Sequence, residues 1–156
     1  MATTRAQIDQ FLSHHRIALV GVSRNPQDFS RAVFRELSAR GYDVVPVNPL
    51  TENVEGQACF PRVQAVNPPV EAALLMTSPL ETERVVRDCA DAGIREVWMH
   101  KGGGQGSVGQ SAVAFCHEHQ IGVVEGHCPF MFLPNTQWFH RAHGFVLKLV
   151  GGFPAA

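Results

Sequence analysis

Charge is scarce in this chain. Only 17% of its 156 residues are Asp, Glu, Lys or Arg, and thirteen basic side chains nearly cancel fourteen acidic ones, leaving −1 at neutral pH. That balance argues against a general nucleic-acid or membrane-surface binder, which needs a basic excess to collect phosphates. Cysteine is thin as well. Cys59, Cys89, Cys116 and Cys128 lie far apart with no CxxC pair, a usage suited to a reducing cytoplasm rather than to a disulfide scaffold. No apolar run approaches the roughly 20 residues of a spanning helix. The short run IALVGV at 17–22 follows two histidines and an arginine and continues into the polar turn SRNP, so it reads as a strand and not as a secretory signal. So low a charged fraction, beside 45% hydrophobic residues, argues against intrinsic disorder. A chain of this length buries roughly 70% of its unfolded surface, and the expectation is one domain over residues 1–156 with its core at about 16–128.

One pattern runs through the chain three times. A β-branched apolar run at 17–22 precedes a helical stretch at about 28–40, in which Phe29, Val33 and Leu37 fall at i, i+4 and i+8. Gly41 follows as a left-handed stop. DVVPVN at 43–48 is a second strand, whose Pro46 suggests a sheet edge or an irregularity. After a turn-rich loop, VEAALLM at 70–76 is the third strand. Ser78, Pro79 and Glu81 then supply an N-cap, a first-turn proline and the third-position acid of a capping box. EVWMH at 96–100 is the fourth strand. Ser107 to Gln110 resembles another capping box ahead of a helix ending near Gln120, and residues 122–125 form a fifth strand. Strands alternating with helices of this length predict an α/β domain: three Rossmann-like layers, a five-stranded, mainly parallel sheet, and right-handed crossovers. Flanking helices are expected at about 5–14 and 138–150.

In such a sheet, ligands sit beyond the carboxyl ends of the strands, where the strand order reverses. Here those ends read Gly21-Val22-Ser23, Val47-Asn48-Pro49, Thr77-Ser78-Pro79 and His100-Lys101-Gly102. All are small or turn-forming, and three lead to helix N-termini, whose free N–H groups attract anions. Arg24, Arg31 and Lys101 add positive charge at the same end. The constellation describes an elongated, phosphate-bearing small molecule. It does not describe a dinucleotide: G-x-G-x-x-G is absent after the first strand, and the second ends in Asn48-Pro49 with no carboxylate for a ribose diol. A P-loop is missing too, and Thr77 stands where phosphotransfer would need an acid at the end of the third strand.

The stretch IALVGVSRNPQDFSRAVFRELSARGYDVVPVNP, with its GVSRNP loop, Ser30 early in the first helix and the PVNP ending, resembles the opening of the stand-alone CoA-binding domain proteins. These are similar to the CoA-binding Rossmann domain of the succinyl-CoA synthetase α subunit. The TSP turn extends the resemblance over about 16–128, while GGGQGS at 102–107 departs from the family's glycine-acidic loop. The resemblance implies CoA or an acyl-CoA, held non-covalently through its nucleotide. Matching positions put Gly21, Val22 and Ser23 at the adenosine and pyrophosphate, Ser30 at the phosphates and Arg24 at the 3′-phosphate. Asn48 and Pro49 fall at the adenine, Thr77, Ser78 and Pro79 at the ribose and diphosphate, and Lys101 and Gly102 on the pantetheine side.

Catalysis finds little support. His117 and His119 point different ways on a helix, and His140 and His143, with His127 and Cys128 nearby, lack the acidic triad or CxxC of a closed metal site. Cys128 is a candidate for a mixed disulfide with CoA, although a buried thiol is the plainer reading. The phosphohistidine domain of the ligase is not expected in so short a chain. The reading is therefore a cytoplasmic, non-catalytic CoA carrier, sensor or assembly module. Two alternatives stand beside it: an NAD(P)-dependent oxidoreductase, and an interaction module using the aromatic segment 129–156. That segment holds Phe130, Phe132, Trp138, Phe139, Phe145 and Phe153, which either pack on the sheet or form a homodimer contact.

Overall fold

A computed structural model describes residues 2–101 and 106–134. The expected helix at 138–150 and the aromatics beyond Pro134 lie outside the described residues, as does Gly102. Within them the elements run α1 (Arg5–Leu12), β1 (Arg16–Val20), α2 (Phe29–Ala39), β2 (Asp43–Val47), β3 (Asn53–Val54), β4 (Gln57–Ala58), β5 (Ala72–Leu75), α3 (Pro79–Asp91), β6 (Glu96–Met99), α4 (Gln110–Glu118) and β7 (Gly122–Glu125). Single 3₁₀ turns occupy Val63–Ala65 and Pro129–Met131.

Five strands make one sheet in the order β2-β1-β5-β6-β7, and every pairing in it is parallel. The strands are nearly all apolar because each is covered on both faces. Alternation sorts their side chains cleanly. Ala18, Val20, Val45, Ala73, Leu75, Val97 and Met99 point into one core, filled from α3 and α4 by Val85, Val86, Cys89, Val113 and Cys116. Ile17, Leu19, Val44, Leu74, Trp98 and Val124 point into the other, filled from α1 and α2 by Ile8, Phe11, Val33, Phe34 and Leu37. Phe130, Phe132 and Leu133 join this second core, so the described part of the aromatic segment packs on the sheet. Trp98, fully buried, takes Phe11 edge-on at 5.3 Å between ring centroids. Its Nε1–H donates to the carbonyls of Gly126 and His127, so the one polar atom of a large core residue is satisfied.

The three-layer α/β fold and its five strands match the sequence expectation, with differences of detail. Pro46 does lie in an edge strand, and its exposed side is capped by Phe60, whose N–H donates to the Pro46 carbonyl while the Phe60 carbonyl accepts from Asn48 N–H. Ser78 accepts from Glu81 N–H as an N-cap should. The second capping box is absent: α4 starts two residues later than Ser107 implied, behind Gly109, with no side-chain cap. Ser107 is instead buried, and its N–H donates to the His100 carbonyl at 2.7 Å. Thr4 and Gln7 form the reciprocal capping box that opens α1.

Because Phe11 links α1 to Trp98, Phe11→Ala is expected to cost about 3–5 kcal/mol, the range for a fully buried aromatic. Urea denaturation followed by Trp fluorescence measures it.

Candidate functional site

The chain leaves β1 into one face's helix and β5 into the other's, so the carboxyl ends of β1, β2 and β5 part and open a crevice. A cleft of about 240 Å³ lies there. Val20, Val47, Val63 and Val85 form its apolar floor, and Gly21, Asn48, Pro49, Thr77 and Ser78 form its rim.

Gly21 permits this closeness. Its φ is +88°, and a Cβ at that position would stand 2.8 Å from the Met76 carbonyl oxygen, which no L side chain tolerates. Asn48 joins two walls: its Nδ2 donates to the Val22 carbonyl at 2.7 Å, and its Oδ1 accepts from Leu50 N–H. Thr77 and Thr82 hydroxyls meet at 2.6 Å. Thr82 already donates to the Ser78 carbonyl, so Thr77 is the donor between them, and it fixes the start of α3.

The loop after β1 is trussed from within. Ser30 Oγ accepts from Ser23 N–H at 2.8 Å and donates to Asp28 Oδ1, which also accepts from Ser30 N–H. Arg31, 8% exposed, donates to the carbonyls of Ser23 and Arg24 and to Glu55 Oε1. Glu55 turns the β3–β4 hairpin at φ +51° beside Gly56 at +79°, the paired positive angles of a type I′ turn. Arg35 grips the same carboxylate. Hydrogen bonds from Arg31, then from Arg35, hold the Glu55 carboxyl below its ordinary value.

Of the residues expected at a site, the cleft gathers Gly21, Asn48, Pro49, Thr77 and Ser78. Val22 is fully buried and its carbonyl is taken by Asn48 Nδ2; Ser30 is buried, with its N–H and hydroxyl engaged. Pro79 is half-buried at the first turn of α3. Ser23 and Arg24 stand on the neighbouring loop, and Lys101 is exposed beyond β6. Arg24 does not line the cleft; Arg62 and Arg84 do, and neither was singled out from the sequence. Arg84 lies 3.6 Å from both Glu81 and Asp88, whereas Arg62 has no side-chain partner among the described residues. Neither arginine sits in a recognisable motif, so only the fold brings them to the rim.

A model of the CoA binding domain matches residues 15–134. The chain belongs to that family. It is 23% identical over 129 residues to the α subunit of acetate–CoA ligase [ADP-forming] II from Pyrococcus furiosus, covering 78% of this chain and only 28% of the ligase subunit. A hypothetical protein from Pyrococcus horikoshii OT3 superposes with a TM-score of 0.74 at 29% identity, over 81% of this chain and 87% of the other. The dinucleotide-forming acetyl-coenzyme A synthetase 1 of Ca. Korarchaeum cryptofilum superposes at 0.61 with 25% identity, over 70% of this chain and 25% of the synthetase.

The remaining candidates sit apart from the cleft. Burial pushes the Cys128 thiol up to about 11, so it is scarcely ionised at neutral pH and poorly suited to disulfide exchange. His127 adopts φ +67° and packs edge-on to Phe132. His117 and His119 are exposed, and His140 and His143 lie outside the described residues. Among the described residues no group of three His, Cys, Asp or Glu is placed to hold a metal ion, and no helix is long and apolar enough to cross a membrane.

Two outcomes are expected. Gly21→Ala is expected to destabilise the domain by about 1–3 kcal/mol through its positive φ and the clash with Met76, measured by thermal unfolding. Glu55 has a depressed folded-state pKa, so its contribution is present above the unfolded-state pKa near 4.3 and is lost as pH falls through the lower folded value. The Tm gap between wild type and Glu55→Gln is therefore expected to be widest near neutral pH and to close below about pH 4.

Proposed function

We propose that this chain binds coenzyme A or an acyl-CoA non-covalently through its nucleotide end, as a carrier, sensor or assembly module without chemistry of its own. The observation that carries the reading is the cleft itself: an apolar floor with an arginine at its mouth, at the order reversal of a CoA-binding-family sheet. A planar base fits against Pro49, Leu50, Val63 and Val85, with its ribose at Thr77 and Ser78. The diphosphate lies along the loop of Gly21, Val22 and Ser23 and towards Pro79 and the start of α3, where the helix dipole favours an anion. Ser30 serves indirectly, by holding the Ser23 loop. Lys101, exposed just beyond β6, is assigned to the pantetheine side, and Gly102 with it as the family resemblance implies.

Arginine roles divide by position. Arg62 lines the cleft mouth without a side-chain partner among the described residues and is assigned the 3′-phosphate; Arg24, exposed on the loop outside, is assigned the diphosphate. A guanidinium holds either group through paired, charge-assisted hydrogen bonds.

Thermal unfolding with CoA, acetyl-CoA, NAD⁺, NADPH or buffer tests the reading. Ligand at about 100 times its Kd adds roughly 2.7 kcal/mol, worth on the order of 5–10 °C in a domain of this size. A rise with the CoA species alone is expected; a rise only with a nicotinamide cofactor overturns the reading. Calorimetry with CoA and dephospho-CoA tests the arginines. Arg62→Ala is expected to cut the preference for CoA about tenfold, whereas Arg24→Ala weakens both ligands alike.

A further inference from the structure

His100 closes β6 on the same edge of the sheet as the cleft, one strand further along, and its N–H donates to the Leu75 carbonyl at the end of β5. The residue is only 8% exposed, and its Nε2 is buried with no hydrogen-bond partner among the described residues. Its ring is tilted against Phe29, the first residue of α2, at 5.7 Å between centroids, and Phe29 keeps 41% of its surface open. A buried ring nitrogen without a partner is costly to keep, and nothing in the packing of β6 requires a polar residue there.

A molecule as long as CoA overfills a cleft of about 240 Å³ and must leave it along the rim. On the β2 side the way is closed by the chain at Phe60, which is bonded to both Pro46 and Asn48. On the other side the sheet continues through β5 to β6, and the end of β6 carries His100 with its ring against Phe29. We propose that His100 is the specificity residue for the arm of the ligand, its ring nitrogen hydrogen-bonding an amide of the pantetheine chain as that chain crosses Phe29. The inference rests on the CoA reading and extends it from the nucleotide to the arm. Burial holds the imidazole down to about 4, so at neutral pH the ring is uncharged. A neutral ring suits an amide, which offers a neutral donor and a neutral acceptor, better than it suits a phosphate.

Calorimetry with CoA and with adenosine 3′,5′-bisphosphate, which has no arm, separates the contributions. His100→Phe is expected to weaken CoA about tenfold and to leave the bisphosphate within about twofold, with His100→Gln recovering part of the loss. In the wild-type protein, the ring ¹⁵N signals of His100 are expected to shift with CoA and to stay in place with the bisphosphate, a readout that does not depend on a variant folding. Equal losses for both ligands, no loss for CoA, or unmoved ring signals in the CoA-bound protein would each overturn the role of His100 while leaving nucleotide binding intact. Failure of the wild type to bind either ligand would instead remove the CoA reading itself, and this inference with it.

Discussion

The architecture turns on the near-contact of two backbones, Gly21 leaving β1 and Met76 leaving β5. These strands are neighbours in the sheet although the whole of α2, β2 and the β3–β4 hairpin lies between them in sequence. Their chains depart to opposite faces, and the crevice they leave is the one place on this edge where strand ends are not bridged by a continuous crossover. A side chain at position 21 would meet the Met76 carbonyl. The cleft and the closeness of its walls therefore follow from one residue without a Cβ and from the reversal of strand order.

The polar groups around that crevice divide into those that hold shape and those left for a ligand. Asn48, Ser30, Thr77 and Arg31 are committed to fixing loops, through bonds of 2.6–3.3 Å to neighbouring backbone and side chains. Arg31 reaches furthest, since it ties the loop after β1 to the hairpin after β2 through Glu55. Walls fixed in advance lower the ordering cost of binding. Left for a ligand, among the described residues, are the dipole at the start of α3 and the side chains of the arginines at positions 24 and 62.

Much of this was legible in the sequence. Apolar runs bounded by glycine and proline marked all five main strands, and the Ser78-Pro79-Glu81 signal marked the start of α3, because each is a local rule acting over a few residues. Where distant segments meet, the same rules were silent. The β3–β4 hairpin escaped because each strand has two residues and its turn is Glu55-Gly56 in place of the usual Asn-Gly. Ser107 satisfied a capping pattern, yet its burial next to His100 decided its role. Arg62 and Arg84 belong to no motif and share a cleft only through the packing of the Val63–Ala65 turn on α3. Ser30 and Arg31 were placed at the correct end of the sheet, but their chemistry turned inward, which only their partners reveal.

Where a CoA molecule lands is the central claim, and an amide chemical-shift titration of the ¹⁵N-labelled protein with CoA reads it directly. The account predicts perturbations that centre on Gly21, Ser23, Asn48, Thr77 and Ser78 and extend along the rim to His100. A second hollow of about 330 Å³, between α1 and the opposite ends of β6 and β7, is lined by Gln7, Gln10 and Gly122. Perturbations centred on those residues, with the Gly21 and Thr77 amides unmoved, would contradict it.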